Sequence, residues 1–224
     1  MLIPVLLLIT PLTGIKDAFQ SPHSRNHRSI APDRLPELMV ALQSSNIQIK
    51  IRCLVEFQLH TMSRPAEAAK VKWSDLDLEK NIWIMSKHKI QQEGDAPHII
   101  PLTVQTREII ERIRPISSRG EYIFPSHKDP KQHINTEASN NALKRTTIGK
   151  EQTGHALRTL ERTAVEEQGF NHFTCEACLA HKTGSQVSQI YNKSNYLKER
   201  VEIMKWWSNY IEKSSIGNTS ITSR

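Results

Sequence analysis

Cysteine is scarce in this 224-residue chain, with only three, an odd number. That excludes a disulfide framework and makes a reducing, cytosolic compartment the simpler reading. Long apolar runs are also missing. The one membrane-like stretch, residues 1–13 (MLIPVLLLITPLT), is too short to span a bilayer and lacks both a basic leader and a small-x-small cleavage site. No internal repeat is visible. What remains is ordinary for a globular fold, 38% hydrophobic and 24% charged, with one bias: a formal net charge of +7 and a pI near 9.4. An excess of Lys and Arg suits a polyanion, although many basic proteins bind no nucleic acid.

Periodicity divides the chain into three parts. Residues 1–31 are expected to be an N-terminal remnant or linker, polar and basic after the apolar start. Residues 32–213 read as one domain. Leu35, Leu38, Met39 and Leu42 form an apolar stripe at helical spacing, and Ile51, Leu54, Val55 and Leu59 form a second. A short helix follows Arg64 and ends before Trp73. The runs NIWIM (81–85) and HIIPL (98–102) read as an antiparallel hairpin with a long polar tip. Tyr122 to Pro125 is at most a short extended piece. Helical patterns resume near Val104, near Thr136 and from His155 onward. The last carries Leu197, Val201, Met204, Trp207 and Ile211 on one stripe. Residues 214–224, rich in Ser and Thr with little to bury, are expected to be disordered. The fold class is mainly α with one small antiparallel sheet.

Within this frame a few polar residues stand out. Arg64 occurs in TMSRPAE with Glu67 one turn later, followed by WSDLD (73–77). His155 and Arg158 make an H-x-x-R box. Leu179-Ala180-His181 precedes Tyr191 by ten residues, and the hairpin tip carries Lys89 and Lys87. Each box alone occurs by chance. In this order and spacing they resemble the catalytic domain of the tyrosine recombinases, especially prophage-type integrases, over about residues 33–211.

The resemblance implies a catalytic set of Arg64, Lys89 (Lys87 the alternative), His155, Arg158, His181 and Tyr191, with no cofactor and no metal. Two guanidiniums offset charge that builds on the non-bridging oxygens of a DNA phosphate. A phenol with an ordinary pKa near ~10 needs a cationic field or a base to attack at neutral pH. His155 is the expected base, His181 a donor to the phosphate, and the hairpin lysine the acid for the leaving 5′ oxygen. The family's 3′-phosphotyrosine intermediate would need neither ATP nor a divalent ion. Double-stranded DNA is the implied partner, with self-association on DNA through the C-terminal helix and no membrane. Tyr196 and Tyr210 are rival nucleophiles better read as packing residues. A non-catalytic DNA-binding remnant of an integrase and a type IB topoisomerase-like enzyme are the alternatives.

Some features depart from the family pattern. Met62 stands where a glycine usually precedes the first arginine, and nothing resembles the family's N-terminal core-binding domain. Residues 11–19 (PLTGIKDAF) resemble that domain's exit segment, so a truncated integrase is expected. His172, Cys175, Cys178 and His181 have a zinc-like spacing. On a helix, however, three-residue steps wind the four side chains around the axis, so small buried thiols are the preferred reading. Trp206 and Trp207 form a possible stacking pair for bases, yet Trp207 lies on the apolar stripe.

Overall fold

The structure, a computed structural model, describes residues 28–85, 97–181, 197–215, 217 and 219–222. A 3-10 turn at Pro32–Arg34 opens helix α1 (Leu35–Ser44), where Leu35, Leu38, Met39 and Leu42 are buried as the stripe requires. Helix α2 (Ile49–Thr61) follows, and every residue from Arg52 to Thr61 is buried. It is therefore the central rod of the domain, not an amphipathic surface helix.

Burial obliges the polar residues of α2 to find partners. Gln58 donates to the Gly154 carbonyl at 2.7 Å. His60 Nδ1 shares a hydrogen bond with Ser208 Oγ at 2.9 Å, and burial pulls its pKa down to about 3, so the ring is neutral. Helix α3 (Pro65–Ala69) then leads through a 3-10 turn into the sheet. Strands β1 (Leu76–Asp77), β2 (Ile82–Met85) and β3 (His98–Pro101) pair antiparallel in that order. Trp83 lies opposite Ile100, and both face the core. The hairpin is as expected, while β1, only two residues long, carries no period to betray it. The hairpin tip lies outside the described residues.

Helix α4 (Val104–Ser117) starts at Thr103, whose Oγ1 accepts from the Thr106 N–H at 3.3 Å and satisfies a helix-end donor. Helices α5 (Ala138–Leu143), α6 (Leu157–Glu167) and α7 (His172–Cys178) complete the described body before α8 (Leu197–Ser214). Helix α8 folds back on its own domain. Trp207 is fully buried and donates Nε1–H to the Leu59 carbonyl at 2.7 Å, which makes it core. Ser208 joins His60 to Thr103, and Tyr210 Oη donates to the Pro32 carbonyl at 3.0 Å.

Two expectations need correction. The inner face of α8 is Ile203, Met204, Trp207, Ser208 and Ile211, while Leu197 is exposed and Val201 only half-buried. The groove accepts a small hydroxyl at position 208 because the α2 and α4 polar groups need it, and the first turn of α8 lies at its rim. The tail after α8 is also not disordered where described: Ser215, Thr219, Ser220 and Thr222 are buried. Glu56, fully buried on α2, accepts from Ser220 Oγ at 2.7 Å and from the Ile221 N–H at 3.0 Å. Arg52 donates to Glu56 and to the Thr219 carbonyl. The tail has little apolar surface to bury, but a buried carboxylate demands donors and the tail supplies them.

Candidate active site

Four helix boundaries converge on one cluster. Arg64 is the N-cap of α3, and Pro65 after it holds Arg64 extended (φ −70°, ψ 150°) at the start of the helix. Glu67 then reaches back. Its carboxylate accepts from the Arg64 backbone N–H at 2.8 Å and from Nη1 at 2.9 Å. The guanidinium is thus fixed in place by its own first turn.

Arg158 lies in the first turn of α6 and is only 9% exposed. Its Nη1 donates to the Met62 carbonyl at 2.6 Å, and Nη2 donates to the Leu179 carbonyl and lies 3.0 Å from His181 Nε2. Met62 is the C-cap of α2, in left-handed conformation with φ 53°. Leu179 is the C-cap of α7, followed by Ala180 with φ 50°. Both carbonyls therefore sit at helix C-termini, where the dipole is negative. The methionine in place of the usual glycine adopts the glycine-type bend, and its side chain is buried. Desolvation, followed by the nearby charge of Arg64, pulls the Arg158 pKa down to about 10, which leaves it cationic at neutral pH.

His181 follows that second left-handed turn. Its Nδ1 lies 2.8 Å from Glu176 Oε2, and its backbone N–H donates to the Glu176 carbonyl at 3.0 Å. Partial burial, opposed by the Glu176 hydrogen bond and reinforced by Arg158 and Arg64, lowers its pKa below the usual imidazole value. Arg64, Arg158 and His181 are accordingly brought together, although the first and last of them lie more than a hundred residues apart in sequence.

His155 sits exposed in the turn just before α6. That turn is held from three sides: Gln58 donates to the Gly154 carbonyl, the Gly154 N–H donates to Asn140 Oδ1 at 3.2 Å, and Ser29 Oγ donates to the Ala156 carbonyl at 3.2 Å. A Cβ on Gly154 would stand 3.2 Å from the Asn140 nitrogen, so glycine permits this close approach. Lys87, Lys89, Tyr191 and Tyr196 lie outside the described residues.

Two acidic residues near the cluster were missed. Glu176 is 7% exposed and also lies 2.7 Å from Arg162 Nε. Glu161, one turn past Arg158, is fully buried, and desolvation raises its pKa well above the carboxylate range despite the pull of Arg158. Neither carries a motif; each is found only once the helix ends are known. Cys175 and Cys178 are buried thiols, both pushed up to about 11, while His172 Nδ1 pairs with Glu166 at 3.0 Å. His172 and His181 thus meet different carboxylates, Glu166 and Glu176.

Two guanidiniums, one held by Glu67 and the other by two backbone carbonyls, thus lie beside a half-exposed imidazole in one cationic cluster. The chain belongs to the phage integrase family, which matches residues 28–198. It is 36% identical to prophage integrase IntA of Escherichia coli (strain K12), over 95% of this chain and 51% of that protein. The fold is that of an integrase from mycobacterium phage Brujita (TM-score 0.61, 19% identity, 83% of this chain and 59% of that one). It is also that of a lambda integrase(75-356) dimer bound to a COC' core site (TM-score 0.54, 18% identity, 80% and 64%). The chain spans about half the length of the curated relatives it matches. Among the described residues, no helix is long and apolar enough to cross a membrane.

Proposed function

We propose that this chain carries the strand-cleaving domain of a site-specific DNA recombinase, with residues 32–213 as its body. Tyr191 Oη attacks phosphorus, the bond to the 5′ oxygen breaks, and a 3′-phosphotyrosine forms. The phenol proton passes to His155, and the leaving 5′ oxygen takes a proton from Lys89, with Lys87 the alternative. Religation to another strand runs these steps in reverse and conserves the bond.

The observation that carries this reading is the convergence of Arg64, Arg158 and His181 on one cationic cluster. None of the hydrogen bonds described for Arg158 goes to a carboxylate, so its charge is available to a phosphate. Double-stranded DNA is the substrate and the cytoplasm the compartment, in keeping with the basic charge and three free cysteines. Self-association on DNA fits the dimeric and tetrameric lambda integrase structures. Association through α8 would require releasing a helix that buries Met204, Trp207 and Ile211 in its own domain.

The test is a duplex nicked near the cleavage point, incubated without divalent ions, followed by denaturing electrophoresis and peptide mapping. A covalent adduct at Tyr191 is expected. Tyr191→Phe should abolish it while leaving DNA binding nearly unchanged, because affinity comes from Lys and Arg contacts to phosphates. An adduct at Tyr196 or Tyr210, a requirement for magnesium, or no adduct from the unaltered chain would each overturn the reading.

A further inference from the structure

The acid beside His181 has no part in the chemistry described so far. Glu176 sits in the last turn of α7, and the chain leaves that helix through Leu179 and the left-handed Ala180. This reversal folds His181 back over the helix end, so its ring meets a side chain five residues earlier. The contact is direct, 2.8 Å from Nδ1 to Oε2. The other carboxylate oxygen lies 2.7 Å from Arg162 Nε, and the residue is 7% exposed. Glu176 thus stands between the imidazole, to which it is hydrogen-bonded, and a cation on α6 at ion-pair distance.

We propose that Glu176 is a positioning residue for His181, holding the proton on Nδ1 so that Nε2 is the nitrogen turned toward Arg158 and the phosphate it binds. The proposal rests on the recombinase reading for its phosphate, but the tautomer is a property of the free chain. A carboxylate only accepts, so Nδ1 carries the hydrogen. Nε2 is then an acceptor, which suits its 3.0 Å approach to the Arg158 Nη2 donor.

A consequence follows when DNA arrives. A phosphate oxygen that takes the Arg158 Nη2–H removes the donor from Nε2. The ring then binds one proton from solvent at Nε2 and donates it to a second phosphate oxygen, while Nδ1–H stays on Glu176. No bond other than N–H changes. Arg158 on α6 and Arg64 on α3 oppose this protonation, and Glu176 and the incoming phosphate favour it. Of the remaining charged neighbours, Glu67 pairs with Arg64 and α8's Arg200 with Ile99 and Cys178, while Arg162 on α6 lies against Glu166 and against Glu176 itself. Glu161 acts on Arg158.

Two measurements on the full chain decide the matter. Nitrogen-15 NMR of the His181 ring, without DNA at pH 8, should show the Nδ1–H tautomer. An Nε2–H tautomer overturns the proposal whether or not the chain cleaves DNA. Adduct formation on the nicked duplex, followed from pH 5.5 to 9, should fall at the alkaline end as His181 loses its proton. Glu176→Gln keeps the shape but removes the charge, so that limb should move about one unit to lower pH, a loss of about tenfold on the limb with little change at pH 5.5. Equal loss at every pH, or an unmoved limb, would leave Glu176 a purely structural residue and overturn the proposal. Absence of any adduct from the unaltered chain would end the recombinase reading, and with it the phosphate step, while the tautomer still tests the contact itself.

Discussion

Arg52 and Arg158 are equally buried, each 9% exposed, yet they are held in opposite ways. Arg52 is paired with the Glu56 carboxylate and with the Thr219 carbonyl of the tail. Arg158 is held by the Met62 and Leu179 carbonyls and the ring of His181. In the first region the two charges cancel locally, and the result is a fastening between α2 and the tail. In the second, two helix C-termini satisfy the guanidinium with dipoles, and the unit charge survives. Equal burial hides this difference, which lies in the nature of the acceptors.

The largest effect should come from breaking the fastening. Arg52→Ala strands Glu56 in the core and should cost about 3–5 kcal/mol of stability in a urea titration. Replacing both residues by leucine should recover most of it, since a buried pair often exchanges with apolar groups at little cost. Arg158→Ala should instead act on the reaction, lowering adduct formation by roughly 10²–10³-fold. Its stability loss should be smaller than that of Arg52→Ala, because it leaves carbonyls and not a carboxylate without a partner. If the two variants unfold alike, the distinction drawn from their acceptors is wrong.

The smallest effect concerns the acceptor at Met62. Glycine there would relieve a left-handed conformation worth about 1–2 kcal/mol. It would also delete a side chain that is 1% exposed, and truncations of that kind cost about 2–5 kcal/mol. The cavity wins, so Met62→Gly should be destabilised by roughly 1–3 kcal/mol on balance. A variant more stable than the parent would show that the bend dominates.

The helices α1 and α2 and the hairpin were legible because their apolar periods run long enough to count. Arg64, Arg158 and His181 were legible through their boxes. What the boxes hide is how each group is held. The carbonyl partners of Arg158 belong to residues 62 and 179, and backbone acceptors leave no trace in side-chain identity. Glu176 meets His181 only because Ala180 bends left, a conformation that alanine does not advertise. The tail misled for a related reason. Its worth lies in the donors of Ser220 and Ile221 offered to one carboxylate, and composition measures apolar surface instead. On α8, the choice of Ser208 over a larger residue answers to His60 and Thr103, which lie far away in sequence.

Met62 ties three roles to one position: it makes the reversal of the chain, fills core volume and lends its carbonyl to Arg158. For a lineage, this is a case of epistasis. A change from methionine to glycine is favourable for the bend but opens a hole, so a neighbour must first grow into that space. The reverse change needs room to be cleared before the side chain can enter. Two homologues differing here are thus separated by a mutational step whose order is set by packing, even though the carbonyl that serves the arginine stays the same.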